Sequence, residues 1–187
     1  MASAKILFEH FPSIAGNEIS FNSKSGILNV TKNAEDICLN FPVDDPEPQE
    51  MDALFSEALG ESPIEILRGT DDFLAVFETE QQIQTMNPDF TKLAKINSRG
   101  VVISAPGNDV DFVSRCFFPQ TGIDEDPVTG SAHTMLIPYW AKQLDKIEFK
   151  AHQLSARGGA LDCKLINDRV LISGKSVIYF EGMISII

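Results

Sequence analysis

Residues 131–144 carry apolar side chains at helical spacing, with Ala132, Met135, Leu136, Tyr139, Trp140 and Leu144 among them. This is the one prominent apolar helix that the chain encodes, and short strand-like runs surround it on both sides. Pro138 lies inside it, so the spacing predicts a kink or the loss of one backbone hydrogen bond. Strands outnumber helices, and a sheet curled around a central helix fits that count better than alternating βαβ units. The expected class is α+β.

The strand signals fall at 18–22, 26–31, 36–41, 64–68, 73–77, 100–105 and 111–118, followed by an all-β tail at 147–154, 159–166, 169–175 and 176–187. Asn167-Asp168 between two of the tail strands reads as a two-residue hairpin turn. Short helices are expected at 50–59, closed by Gly60, at 79–86, and at 88–95, started by Asn87-Pro88. The opening run Ala4-Lys5-Ile6-Leu7-Phe8-Glu9-His10 reads as the last turns of a helix stopped by Pro12, with no N-cap before it. Pro42-Val43-Asp44-Asp45-Pro46-Glu47-Pro48 is the best linker candidate, and a domain boundary is placed there.

A net charge of −12, with Lys and Arg dispersed, argues against a nucleic-acid partner, because phosphates are bound mainly by clustered cations. No apolar run approaches the roughly 20 residues that cross a bilayer, and the N-terminus does not read as a secretory signal, so the expected location is the cytoplasm. The three cysteines, Cys38, Cys116 and Cys163, are widely spaced in strand-like surroundings and read as packed free thiols. His10, His133 and His152 share no short spacing, so no metal site is expected.

One segment differs in character: Phe118-Pro119-Gln120-Thr121-Gly122-Ile123-Asp124-Glu125-Asp126-Pro127-Val128-Thr129-Gly130-Ser131-Ala132-His133. It joins a strand to the apolar helix. Thr129, Gly130 and Ser131 are expected to bring free backbone N–H groups to the helix start, a cradle for a carboxylate or phosphate. Asp126 stands on its rim, where partly desolvated walls favour proton exchange with carbon. The competing reading is an acidic surface loop before a capped helix. Asp124 and Glu125 read as solvated turn residues, and His133 as a core or capping histidine. Ser173-Gly174-Lys175-Ser176 ends like a P-loop, but Arg169 occupies the place of its first glycine. No Gly-x-Ser-x-Gly elbow exists.

Arg115-x-Phe117-x-Pro119, Gly122-Ile123-x-Glu125-Asp126-Pro127-Val128-Thr129-Gly130-Ser131-Ala132-His133 and Pro138-Tyr139-Trp140 together resemble the signature of the PhzF-like (phenazine-biosynthesis) family. Phe41-Pro42, Ser155-Ala156-Arg157-Gly158-Gly159 and Asp168-Arg169-Val170-x-Ile172-Ser173-Gly174 extend the resemblance over essentially the whole chain. It implies a diaminopimelate-epimerase-like fold of two pseudo-symmetric domains, each a sheet or barrel wrapped on a central helix. It also implies cofactor-independent isomerisation or epimerisation of a small carboxylated metabolite. Asp126 is then the catalytic carboxyl group, and Gly130 and Ser131 hold the substrate's anionic group.

The family's leading segment, with a catalytic Glu and a Cys-Gly-His-Ala-Thr motif, has no counterpart in the chain. Residues 1–41 are accordingly expected to be a remnant of the first domain, 42–175 the second domain, and 176–187 a strand returning to the first. On that expectation the chain alone is inactive or nearly so, and a homodimer or a second chain covers the incomplete domain. The alternative is a non-catalytic protein that binds small anions or partners on the same fold. The resemblance does not identify the substrate.

Overall fold

The computed structural model describes residues 1–23 and 26–185. Its eleven strands are β1 (Glu18–Ser23), β2 (Gly26–Asn33), β3 (Asp36–Pro42), β4 (Glu47–Pro48), β5 (Glu65–Arg68), β6 (Asp72–Val76), β7 (Gly100–Pro106), β8 (Phe112–Phe117), β9 (Glu148–Gln153), β10 (Gly159–Ile166) and β11 (Arg169–Lys175). The helices are α1 (Ala2–His10), α2 (Pro12–Ala15), α3 (Ala53–Leu59), α4 (Glu80–Thr85), α5 (Phe90–Leu93) and α6 (His133–Leu144). All strands join one sheet in the order β1-β2-β3-β11-β10-β9-β8-β7-β6-β5-β4. The β6–β7 and β8–β9 pairs are parallel, and the rest are antiparallel.

The sheet encloses α6. Met135, Leu136, Ile137, Tyr139 and Trp140 of α6 share one core with side chains from β2, β3 and β5 to β11. A helix apolar over most of its circumference is stable only when enclosed in this way. A second core lies on the other face of β5 to β8, where Phe55, Leu59, Ile83 and Leu93 of α3, α4 and α5 cover it. Strand β8 serves both cores: Phe112 and Cys116 face α6, while Val113 and Phe117 face the three short helices. This two-sided burial explains why the β7 and β8 sequences read as continuous apolar runs. In β9 only alternate residues are buried, Phe149, Ala151 and Gln153.

The architecture is the expected α+β class, with several local differences. Helix α6 begins at His133, because residues 130–132 form a tighter entry turn in which His133 and Thr134 donate to the carbonyls three residues back. Asp89, and not Asn87, caps α5, accepting from the Lys92 N–H at 3.1 Å. Thr79 and Gln82 form a reciprocal capping box on α4. Residues 176–185 form no strand, and the last two residues of the expected 176–187 strand lie outside the described residues. At the expected linker, Pro42 ends β3, and Glu47–Pro48 pairs at the sheet's edge with β5, where proline is tolerated. The sheet itself continues across this point, since β3 and β11 pair through seven residues each.

The three cysteines are free thiols: Cys116 and Cys163 are buried and Cys38 half-buried. Burial pushes Cys163 up to about 12 and raises Cys116 as well, so neither is a thiolate at neutral pH. Gly100, at the start of β7, packs under the ring of Phe118. An added Cβ would lie 2.1 Å from Phe118 Cδ1 and 2.6 Å from the Phe117 carbonyl oxygen. Gly100→Ala is therefore expected to cost about 2 kcal/mol in thermal or chemical denaturation, because both neighbours are themselves packed. An unchanged midpoint would show that this corner yields without strain.

Candidate active site

The loop between β8 and α6 is built outward from Arg115. Its guanidinium donates to both carboxylate oxygens of Glu125, at 2.7 and 3.0 Å, and to the carbonyls of Ile83 and Met86 at the end of α4. Glu125 is thus an anchored ion-pair partner and not the solvated turn residue expected from its neighbours. Asp124 is exposed, as expected. A single bridge between Phe118 and Ile123 closes the first half of the loop, and Gly122 takes a left-handed conformation at φ 83°.

Asp126 follows, half-buried, with its N–H donating to the Cys116 carbonyl at 3.0 Å. The Thr129 hydroxyl donates to Asp126 Oδ2 at 2.5 Å. Gln153, fully buried on β9, holds both residues. Its Nε2 donates to the Asp126 carbonyl at 2.7 Å and to Thr129 Oγ1 at 3.2 Å, and its Oε1 accepts from the Thr129 N–H at 2.8 Å. Thr129 N–H is therefore not free, contrary to the expectation of three open donors. The N–H groups of Gly130 and Ser131 donate to no group among the described residues. They open the entry turn of α6, where the helix dipole is positive. Gly130 lies beside β3, where an added Cβ would stand 3.4 Å from Leu39 and 3.7 Å from Phe41.

His133 is fully buried below this turn, the core histidine of the sequence reading. Its Nδ1 faces the Thr129 carbonyl at 2.9 Å, and since a carbonyl only accepts, Nδ1 carries the proton. Nε2 has no partner among the described residues. Burial holds the imidazole down to about 4, so it is neutral and holds the Thr129 carbonyl by donation.

The structure brings Asp126, Thr129, Gly130 and Ser131 together around one turn, with Ser131 exposed and Thr129 buried. Sequence reasoning missed Gln153, although a polar residue following Phe149 and Ala151 in the inward register of β9 was a readable signal. It also missed Arg99, which reaches Ser131 Oγ from before β7 at 3.3 Å. A surface groove of about 730 Å³ lies elsewhere, against Cys38, Lys146 and Lys164. No group of His, Cys, Asp and Glu among the described residues could hold a metal ion. No helix among them is long and apolar enough to cross a membrane.

A large mixed sheet wrapped around one helix defines the fold class. In fold it is similar to a hydroxyproline epimerase from Agrobacterium vitis, with a TM-score of 0.59 at 12% identity over 95% of this chain and 62% of that one. The chain belongs to the phenazine biosynthesis-like (PhzC-PhzF) family, whose model matches residues 1–182. It is 44% identical to an uncharacterised isomerase of Pseudomonas aeruginosa, over 98% of this chain and 70% of the relative. It is 35% identical to a mouse phenazine biosynthesis-like domain-containing protein, covering 99% and 71% respectively. A PhzF-family structure from Enterococcus faecalis superposes with a TM-score of 0.89 at 40% identity, over 96% of this chain and 68% of that one. The class is therefore that of the PhzF-like isomerases.

Proposed function

We propose that the chain serves cofactor-independent isomerisation of a small carboxylated metabolite, in which Asp126 handles the proton. The substrate carboxylate sits on the N–H groups of Gly130 and Ser131. The carrying observation is the juxtaposition of a fixed carboxylate with two N–H groups at the start of α6 that have no partner among the described residues. Binding at a helix start stabilises a carboxylate and the negative charge that develops when a neighbouring carbon loses a proton. The Thr129 hydroxyl engages Oδ2 of Asp126 and leaves Oδ1 to meet the substrate. Thr129 acts in this reading by holding Asp126, since its own N–H and hydroxyl are already committed.

Calorimetry with anthranilate, a small aromatic carboxylate, tests this on the purified chain. Ser131→Ala and Asp126→Ala are each expected to weaken binding by about tenfold, roughly 1.4 kcal/mol. Affinity indifferent to both changes overturns the reading.

A second reading, a small-anion-binding or interaction protein on this fold, is favoured by the apolar surface of residues 176–185. Val177, Tyr179, Phe180, Met183 and Ile184 are each at least 80% exposed. Exposed apolar clusters of this kind mark contact surfaces. Under it a second copy covers this segment, and sedimentation should show a dimer that Tyr179→Ser with Phe180→Ser dissociates. A monomer at all concentrations removes this reading.

A further inference from the structure

Arg99 belongs to none of the sequence motifs, yet it stands directly beside the anion seat. Its Nε donates to Asp72 Oδ1 at 2.9 Å, and its Nη2 donates to Asp72 Oδ2. The same Nη2 reaches Ser131 Oγ at 3.3 Å. The guanidinium also lies 5.5 Å from the centre of the Phe118 ring, and the Arg99 N–H donates to the Asp71 carbonyl at 2.9 Å. Side chain and backbone are thus fixed from separate directions. Asp72 is 4% exposed, whereas the Arg99 side chain is 38% exposed. The pair therefore keeps its negative end inside and presents its positive end at Ser131. Nη1 donates to no group among the described residues.

The hydrogen bond to Ser131 has a further effect. A hydroxyl oxygen that accepts from Arg99 must aim its own proton elsewhere, and no acceptor for it exists among the described residues. Ser131 is thereby set as a donor. Two backbone N–H groups, one hydroxyl and the open edge of a guanidinium then line the same turn, with no acceptor competing among them. A carboxylate, with two charged oxygens to accept, satisfies such a set better than a neutral carbonyl does.

We infer that Arg99 is a positioning and selectivity residue of the α6 anion seat: it orients Ser131 as a donor and makes the seat prefer a carboxylate over its neutral amide. The inference rests on the seat proposed above. It adds a requirement for ligand charge that a helix start alone does not impose.

The test compares anthranilate with 2-aminobenzamide, its uncharged amide, by calorimetry on the full chain. The main variant is Arg99→Gln with Asp72→Asn, which removes both charges but leaves two amides able to hydrogen-bond, so no buried carboxylate is stranded. The wild type is expected to favour anthranilate by at least about tenfold, with a preference that falls as salt rises. The double variant should weaken anthranilate by about tenfold and leave 2-aminobenzamide unchanged. If the double variant binds anthranilate like the wild type while Ser131→Ala weakens it, the role of Arg99 is refuted and the seat stands. If Asp126, Ser131 and Arg99 changes all leave anthranilate unaffected, the seat fails and this inference with it. Should the double variant not fold, Arg99→Lys decides. It keeps the charge but cannot bridge Asp72 and Ser131, so affinity should fall about threefold with the preference retained. Unchanged affinity in that variant overturns the inference.

Discussion

Arg115→Met is expected to lower the stability of the chain by about 3 kcal/mol, and to loosen the loop that carries Asp126. The side chain is only 12% exposed and forms four hydrogen bonds: two to Glu125 and one each to the carbonyls of Ile83 and Met86. Those carbonyls lie at the C-terminal end of α4, where a cation also complements the helix dipole. Methionine keeps the apolar stem but leaves Glu125 without its partner and the two carbonyls without a donor. Removing one member of a largely buried pair costs far more than the pair contributes, because the other member stays desolvated. Glu125 directly precedes Asp126, so the loss is felt at the site. Urea denaturation measures the effect, and Glu125→Gln should cost much less because Arg115 keeps its contacts to α4. A loss below about 1 kcal/mol for Arg115→Met would show that the loop is held by other means.

Acidification is expected to remove about 3 kcal/mol of stability between pH 6.5 and 4 through His133 alone. The imidazole titrates at about 4 in the folded chain against 6.5 as its ordinary value, because burial penalises the charged ring. Between these values the unfolded chain binds the proton and the folded chain does not. The stabilisation is therefore complete above pH 6.5, declines as pH falls, and is gone below about 4. His133→Asn retains a donor for the Thr129 carbonyl without titrating in this range. Denaturation midpoints followed from pH 7 to 4 should fall less steeply in this variant than in the wild type. Parallel slopes would assign the acid sensitivity to other groups.

Features set by neighbours along the chain were legible before the structure. The apolar spacing of α6 marks a helix that must be enclosed, and its position between strand-rich halves implies the sheet around it. Asn167 takes φ 52° in the hairpin between β10 and β11, and Gly60 closes α3 in the left-handed conformation. Asp126, Gly130 and Ser131 stood in one contiguous motif. What was illegible depends on distant partners. Residues 176–185 are rich in strand-forming side chains, but a strand exists only when paired. The Thr129 N–H seemed open because nothing nearby in sequence reveals that Gln153 accepts from it. Arg99 likewise lies 32 residues from Ser131, and only the fold unites them.

The β3–β11 ladder has a consequence for how this chain is made. It joins Asp36 to Lys175 and Pro42 to Arg169, so β3 lacks its partner on that edge until β11 has been made. At a ribosomal pace of about 5–20 residues per second, β3 waits on the order of 10 s after its own synthesis before its partner appears. During that interval Val30, Ile37 and Leu39, buried in the finished protein, lack the α6 and β11 side chains that share their core. Contacts between such distant parts of a sequence also slow folding in general. The period of greatest risk for aggregation is thus the time before β11 emerges, and holding chaperones would act on the β1–β3 meander first.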